Sequence, residues 1–435
     1  MPAPDTIFAP ASGAGRAAIA VIRISGPVTR SALSRIAGRT FKPRHATLAR
    51  LVHDGRMLDH ALVLWFPGPA SFTGEDSAEF QLHGGRAVVA AVLRALAAVP
   101  GCRPAEAGEF TRRAFLNDRL DLGAVEGLAD LIDAQTEAQR RQALRQLEGA
   151  LGYWVAGLRG DLLTALALAE GAIDFADEDQ LVASFEAEIS DIVAVSIDRI
   201  AAELARETQG LRLREGLVVA IAGPPNAGKS TLLNALAGRE VAIVSEEAGT
   251  TRDVIAVDLD LAGYPVQLID TAGLRDAESA VEREGIVRAR ARAASADLVL
   301  WLHVATEPVV LDIKTHGSVW TVATKVDLGG NAAADHLVSA RTGAGLDALV
   351  ARLTRFAAEA LVDGEGAVVT RLRHRRALED AQRFLDRLAP SRQRQDLELV
   401  AEELRGALSA LASLVGKVGT EEVLGAIFAR FCIGK

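Results

Sequence analysis

Gly223-Pro224-Pro225-Asn226-Ala227-Gly228-Lys229-Ser230 has the spacing G-x-x-x-x-G-K-S. These residue types at this spacing suit phosphate chemistry. The glycines let backbone N–H groups approach phosphate oxygens, and the N-terminus of a following helix adds positive potential. Lys229 would reach β- and γ-phosphates, and Ser230 would ligate Mg²⁺. Asp270-Thr271-Ala272-Gly273 begins 47 residues after the first of these glycines. Asp270 can hold Mg²⁺ through water, and the Gly273 amide can sense a γ-phosphate. Between the two stretches, Gly249-Thr250-Thr251-Arg252-Asp253 offers a threonine, Thr251. It can ligate Mg²⁺ while a triphosphate is bound and let go after hydrolysis. Asp327, in Thr324-Lys325-Val326-Asp327, can accept hydrogen bonds from both the N1–H and the 2-amino group of guanine. Adenine supplies neither. Ser339-Ala340-Arg341 would back the guanine O6 with a main-chain amide.

Such residues need a scaffold that brings strand ends and helix starts together. Residues 217–361 alternate accordingly. LVVAIA (217–222), VIAVDLDL (254–261), PVQLID (265–270), DLVLWLHV (297–304) and SVWTVAT (318–324) read as strands. KSTLLNALAG, EREGIVRARARAA and GLDALVARLTRFAAEAL read as helices. This predicts a mostly parallel sheet with helices on both faces. The phosphate loop falls between a strand ending at Ala222 and a helix starting at Lys229, the context it requires. Taken in order, the motifs at 223, 251, 270, 324 and 339 resemble those of the Ras-like GTPase superfamily.

The flanks have other textures. Residues 1–118 read as an α+β domain, with strands at 18–25 and 61–67 and a buried helix at 87–99 ended by Pro100-Gly101. Residues 119–209 are helical, with an acidic break DFADEDQ at 174–180 and a helix over roughly 182–208. That break reads as a solvated loop, with a metal site the lesser alternative. From 367 onward the chain is helical again, with TEEVLGAIFARF near its end. The α/β module thus interrupts one helical domain built from both flanks. The fold class expected is multidomain α/β: an N-terminal domain over 1–118, a discontinuous helical domain over 119–210 and 367–435, and an inserted P-loop G domain over 211–366.

Among the 435 residues, 49% are hydrophobic and 24% charged, as in an ordinary soluble protein. No apolar run approaches the roughly 20 residues that span a bilayer. The start, MPAPDTIFAPASGAG, does not read as a secretory signal. Two distant cysteines, Cys102 and Cys432, make no disulfide framework and fit a reducing cytosol. The net charge of −9 disfavours generic nucleic-acid binding, so any RNA contact needs a local basic patch or a partner protein. RLRHRR (371–376) is one candidate, and a solvated helix face is the equal alternative.

The whole chain resembles the MnmE (TrmE) family of bacterial tRNA wobble-uridine modification GTPases. Beyond GPPNAGKSTLLNAL, the matching stretches are DTIFAPAS, IRISG (22–26), SFTGEDSAEF (71–80), HGG (83–85), AGEFTRRAFLNDRLDL (107–122) and the ending FCIGK. The resemblance implies a cytoplasmic homodimer that works with an FAD-dependent MnmG-type protein, in a heterotetramer, on tRNA. No membrane is involved. The pair would install a 5-carboxymethylaminomethyl-type group on the wobble uridine. A 5,10-methylene- or 5-formyl-tetrahydrofolate at the N-terminal domain would mark the one-carbon source. GTP hydrolysis, with Mg²⁺ and K⁺, would drive G-domain dimerisation.

The nucleotide contacts so implied are Asn226, Ala227, Gly228, Lys229, Ser230 and Thr231, then Ser245, Glu246, Glu247, Ala248, Gly249, Thr250 and Thr251. They continue with Asp270, Thr271, Ala272 and Gly273, then Thr324, Lys325, Asp327, Ser339, Ala340 and Arg341. Mg²⁺ would take Ser230 and Thr251; K⁺ would take Asn226, Ser245, Glu247 and Thr250. Glu282 matches the glutamate that orients the attacking water; without the resemblance it reads as a solvated acid at a helix start. Arg23, Glu79, Arg119 and Lys435 match folate contacts. Arg23 sits among apolar neighbours and needs a partner in any case. Without the resemblance Arg23, Glu79 and Lys435 read as an edge-strand arginine, a surface acid and a frayed terminus. Cys432 matches a cysteine beside that site; it is either a reactive thiol or a small buried residue.

Three residues bear on mechanism. Leu274 stands where Ras-type enzymes use a glutamine to orient water, so water must be placed by other means. Thr324 stands where the guanine-reading motif begins with asparagine, which loosens nucleotide affinity while Asp327 keeps the guanine preference. Arg119 stands where lysine is common: the charge is kept and the geometry differs. The competing readings are a ribosome-assembly or translation-linked GTPase switch and a membrane-remodelling GTPase.

Overall fold

The computed structural model describes residues 5–13, 15–239, 241–243, 256–270, 296–308, 311, 317–330, 333–388, 396–416 and 434. The chain forms two compact units. One comprises Met1–Ala129, Leu147–Arg159 and Leu408–Lys435; the other comprises Asp130–Gln146 and Gly160–Ala407.

The first unit holds a six-stranded sheet. Its strands are β1 (Thr6–Pro10), β2 (Ile19–Ser25), β3 (Thr47–His53), β4 (Arg56–Phe66), β5 (Ser77–His83) and β6 (Cys102–Pro104). Their order is β3-β4-β5-β2-β1-β6, antiparallel except where β6 runs parallel to β1. Period-two alternation buries Ala20, Ile22 and Ile24, the last two in a core with Leu51, Val63 and Phe80. The helices α1 (Thr29–Ala37) and α2 (Arg86–Ala97) close that core with Leu33, Ile36, Val92 and Leu96. A smaller cluster joins Ile7 and Ala9 to Phe110 of α3 (Glu109–Leu116). The strand expected at 61–67 begins earlier, at Arg56, because its polar start continues the ladder with β3 past an irregularity at Leu51/Val52. Cys102 is half-buried, and burial pushes its thiol up to about 11, so it stays neutral at ordinary pH.

Gly434, in the FCIGK stretch, lies against the end of β1. A Cβ there would sit 1.8 Å from the Pro10 carbonyl oxygen, so no larger residue fits. Helices follow over Leu122–Asp133 (α4), Glu137–Leu147 (α5), Ala150–Asp174 (α6) and Asp179–Glu215 (α7). The acidic break shrinks to residues 175–178, and α7 is 37 residues long, well beyond the expected 182–208. Asp179 in its first turn and Arg212 and Arg214 in its last match the helix dipole. Among the described residues no helix is long and apolar enough to cross a membrane.

The second unit holds the expected α/β sheet. Its strands are β7 (Leu217–Ala222), β8 (Ala256–Leu261), β9 (Tyr264–Asp270), β10 (Leu298–Val304), β11 (Ser318–Thr324) and β12 (His336–Leu337). The order is β12-β11-β10-β7-β9-β8, parallel but for the β8–β9 hairpin. Helices α8 (Lys229–Ala237) and α9 (Leu346–Leu361) share its main core. The helices α10 (Leu372–Asp386) and α11 (Leu397–Leu414) complete the described chain. The helices expected at EREGIVRARARAA and TEEVLGAIFARF lie outside the described residues.

Buried amides fasten the α/β module at its two chain crossings. The Gln142 side chain donates to the carbonyls of Gly210 (3.0 Å) and Gly364 (3.1 Å). Gln146 donates to the Val368 carbonyl at 2.9 Å. Glu203 accepts from the Val368 and Val369 amides at 2.6 and 3.2 Å. Gly210 is required within α7, since a Cβ would stand 2.5 Å from the Val369 carbonyl oxygen. Replacing Gln142→Leu removes both of these hydrogen bonds, each worth about 1 kcal/mol. A thermal melt should show a clearly lowered midpoint; a midpoint equal to the parent's would refute the role of this amide.

Candidate functional site

The loop after β7 has the backbone its sequence predicts. Gly223 has φ +142°, and a Cβ there would lie 2.2 Å from the Leu302 carbonyl oxygen of β10. Only glycine lets the loop leave the sheet this close to its neighbour. Gly228 is left-handed (φ 89°) at the N-cap of α8. Asn226 is left-handed too (φ 62°), a strained value for a side-chain-bearing residue. Lys229 is buried, and its ammonium donates to the carbonyls of Gly223 (3.0 Å) and Pro224 (2.8 Å) across the loop. Ser230 Oγ donates to Asp270 Oδ2 at 2.8 Å. The two residues expected around Mg²⁺ from separate motifs are therefore neighbours. Thr231 follows on the exposed side of α8.

The base-reading residues converge on the same loop. Thr324 is buried; its hydroxyl lies 2.7 Å from the Ala227 carbonyl and 3.1 Å from that of His303. Lys325 donates to the Asn226 carbonyl at 2.8 Å. The threonine that replaces asparagine thus still straps the phosphate loop to β11. Asp327 is exposed and accepts from Ser339 Oγ at 2.6 Å. That hydrogen bond, with help from Arg341, holds its carboxyl below the ordinary aspartate value of 3.8 against a desolvation effect. Ser339 is fully buried, its amide donating to the Ala344 carbonyl, with Ala340 beside it.

A second site lies in the first unit. A cleft of about 390 Å³ is lined by Arg23, Arg44, Phe66, Phe72, Thr73, Ser77, Glu79 and Arg119. Arg23 and Glu79 are direct cross-strand partners on β2 and β5. Arg23 Nε and Nη2 both donate to Glu79 Oε1, at 3.2 and 3.0 Å. Among the described residues Glu79 Oε2 has no hydrogen-bond partner. Arg23 also stands 5.4 Å from the Phe72 ring centre. Three of the four expected contacts are thereby gathered.

Sequence reasoning missed the residues that hold the cleft wall. Arg113 bonds Glu75 at 3.2 Å, Asp5 at 2.8 Å and Glu109 at 2.9 Å. Asn117 donates to the Thr73 carbonyl at 2.7 Å. Gly74 leaves no room for a free Cβ, with Asn117 Cβ 3.1 Å and Arg119 Cγ 3.4 Å from that position. The stretches SFTGEDSAEF and AGEFTRRAFLNDRLDL are therefore one spatial device. Their presence as matched strings was the available signal. Arg44 and Phe66 had none.

RLRHRR is not a uniformly solvated basic face. Arg371 pairs with Asp130 at 2.6 Å, Arg375 pairs with Glu379 at 2.7 Å, and His374 is buried. Ser245, Glu246, Glu247, Ala248, Gly249, Thr250, Thr251, Thr271, Ala272, Gly273, Leu274, Glu282, Cys432 and Lys435 lie outside the described residues.

Removing the strap by Thr324→Val should speed nucleotide dissociation roughly five- to tenfold, the worth of one hydrogen bond of about 1–1.5 kcal/mol. Stopped-flow release of a fluorescent guanine nucleotide reads it, and an unchanged rate would dismiss the strap. Asp327→Asn should exchange GTP for xanthosine triphosphate, whose 2-oxo group accepts where guanine donates. The ionised form of Asp327 is the one expected to read guanine, and its folded value is lowered. Its contribution is therefore complete above 3.8 and lost only as pH falls through the lower folded value. GTP-over-ATP selectivity measured at pH 5 should equal that at pH 7.5.

Comparison with known proteins covers both stretches of chain that carry these residues. The profile of the MnmE helical domain matches residues 122–432, and that of the GTP-binding protein TrmE N-terminus matches residues 6–119. The tRNA modification GTPase MnmE of Beijerinckia indica is 53% identical, over 99% of this chain and 96% of its own. Its counterpart from Methylorubrum populi is 55% identical over 99% and 98%. That of Rhodopseudomonas palustris is 51% identical over the full length of both. Among solved structures, a point variant of Aquifex aeolicus Era bound to GDP and AlF4⁻ is 24% identical over 32% of this chain and 56% of its own, at a TM-score of 0.23. The G domain of the T. maritima FeoB iron transporter is 26% identical over 32% and 98%, also at 0.23. With a nucleotide loop strapped to a guanine-reading strand and near-complete coverage by the MnmE relatives, the chain belongs to the MnmE (TrmE) family of tRNA modification GTPases.

Proposed function

We propose that this GTP hydrolase acts with an FAD-dependent MnmG-type partner to place a 5-carboxymethylaminomethyl-type group on the wobble uridine of tRNA. It does so as a cytoplasmic homodimer, with the N-terminal domain at 1–118, the helical domain at 119–210 and 367–435, and the G domain at 211–366. The observation that supports this reading is the Arg23–Glu79 pair in a cleft of about 390 Å³. A pterin presents an amino group and a ring N–H side by side, and the second oxygen of Glu79 suits them. Phe66 and Phe72 offer flat apolar walls, and Arg119 offers charge to the ligand's carboxylates. A tetrahydrofolate derivative bound there supplies the one-carbon unit. Glu79 orients it, Arg23 holds Glu79 in place through its two hydrogen bonds, and Arg113 holds the wall.

At the nucleotide, Ser230 and Asp270 form an oxygen pair suited to Mg²⁺. Lys229 draws the phosphates toward the loop. K⁺ at Asn226, with Ser245, Glu247 and Thr250, supplies the positive charge that an arginine would otherwise bring. Glu282 then positions water in place of the glutamine that Leu274 replaces.

The direct test is the nucleoside content of tRNA from a strain lacking the protein. Loss of the modified wobble uridine is expected, and an unchanged profile would sink the reading. Glu79→Ala should weaken binding of 5-formyl-tetrahydrofolate by at least about tenfold, the scale of a charge-assisted hydrogen bond pair. Equal affinity by calorimetry would remove the cleft from consideration. Exchange of K⁺ for Na⁺ should slow GTP turnover; a rate indifferent to the cation would exclude the K⁺ role.

A further inference from the structure

The chain is acidic overall, with a net charge of −9, yet its charge is unevenly laid out. Residues 30–56 contain six arginines and one lysine against a single aspartate. The seven cations are Arg30, Arg35, Arg39, Lys42, Arg44, Arg50 and Arg56, and every one of them is exposed. Among the described residues none of the seven makes an ion pair. Arginines elsewhere behave differently: Arg103, Arg113, Arg199, Arg371 and Arg405 all meet carboxylates. A cluster of cations with no internal counter-charge repels itself, which disfavours it unless an external polyanion neutralises it.

These residues lie along one margin of the first unit. They occupy α1, the connection 38–46, and the β3–β4 hairpin at the sheet's outer edge. Three of them rest on aromatic rings instead of acids. Arg30 stands 5.4 Å from the Trp65 ring centre, Arg39 5.9 Å from Phe41, and Arg44 5.8 Å from Phe66. A ring face orients a guanidinium without cancelling its charge. Arg44 is further fixed by its amide, which donates to the Trp65 carbonyl at 2.8 Å, and by its guanidinium on the Ala70 carbonyl. It holds a left-handed backbone (φ 56°), a strain typical of functional positions. At the far end of the strip, a groove of about 940 Å³ is lined by Arg35, Arg50 and His53, with one carboxylate, Asp54, 3.4 Å from the His53 ring.

We propose that this strip, from Arg44 at the cleft rim to the Arg35–Arg50 groove, grips the phosphate backbone of tRNA. Planar guanidinium groups match phosphate oxygens pairwise, and their release of counterions supplies sequence-independent affinity. Because Arg44 also lines the Arg23–Glu79 cleft, a strand gripped here passes the place where a one-carbon donor would bind. The inference rests on tRNA being the substrate; it does not depend on what the cleft holds.

The test uses the full-length protein and unmodified tRNA, with anisotropy titrations at several salt concentrations. R35Q/R39Q/K42Q removes three charges and touches neither the cleft nor the nucleotide site. Its slope of log affinity against log salt should shrink by about two to three, at roughly 0.7–0.9 per phosphate contact. GTP hydrolysis without tRNA and binding of 5-formyl-tetrahydrofolate should be unchanged. R35K/R39K, which keeps the charge but not the guanidinium fork, should keep the parent's salt slope while binding somewhat more weakly. R206Q/R355Q/R383Q makes the same net change at exposed arginines elsewhere and should leave the slope alone. Equal losses in both triple variants would reduce the effect to bulk charge and overturn the proposal. An unaltered slope in R35Q/R39Q/K42Q would overturn it too, whatever other macromolecule the strip then proved to bind. Failure of the parent to bind 5-formyl-tetrahydrofolate would remove the one-carbon reading and leave the strip standing.

Discussion

Two adjacent carbonyls of the phosphate loop, those of Asn226 and Ala227, are held by two adjacent side chains at the end of β11, Lys325 and Thr324. Much of the nucleotide site depends on this strap. A loop of left-handed residues is under strain and keeps its shape only when its surroundings over-determine it. Here one surround is the backbone of β10, which Gly223 approaches too closely for any Cβ. The other is the end of β11, three residues before Asp327. The residues expected to read the base and those expected to bind phosphate are therefore not two separate patches. They share one rigid frame, and displacement at either end is felt at the other. Thr324 is shorter than the asparagine usual at this position. Burial compensates, because its hydroxyl has nowhere else to turn.

The first unit solves a different problem with the same economy. Its cleft needs a charged pair on a sheet, and Arg23 and Glu79 satisfy each other across neighbouring strands. One wall is a loop, and loops need external support. Arg113 and Asn117, from α3 and its end, supply it through Glu75 and Thr73. The ion pairs here are half-buried and shared among several carboxylates. They position a surface; they are not a source of large net stability.

How much of this was legible depends on the range over which each signal acts. The phosphate loop, Asp270 and Asp327 were readable because their function sets fixed local spacing. β7, β9, β10 and β11 were readable because buried parallel strands are continuous apolar runs. β1, β3 and β5 were not named as strands: Thr6–Pro10 is short, and β3 and β5 mix charges into half-buried faces. Arg113 and Glu75 are 38 residues apart, so no periodicity links them. RLRHRR looked like one basic face, yet Arg371 reaches Asp130, 241 positions away, and His374 turns inward. Local composition reports what a segment can do, and distant partners decide what it does. The acidic total charge hid the basic margin at 30–56 for the same reason: an average carries no position.

The amide of Gln142 has a consequence for recombination. The α/β module looks like a cassette, entered at Gly216 and left near Leu361. Gln142 in α5 holds carbonyls just before the entry and just after the exit, and the Ala138 amide at the helix's other end donates into the module itself, to Gly263 in the β8–β9 turn. Cutting at the two crossings would pair each module with a foreign α5. The heritable unit, the smallest piece that homologues can trade without leaving buried groups orphaned, is the module together with residues 137–147.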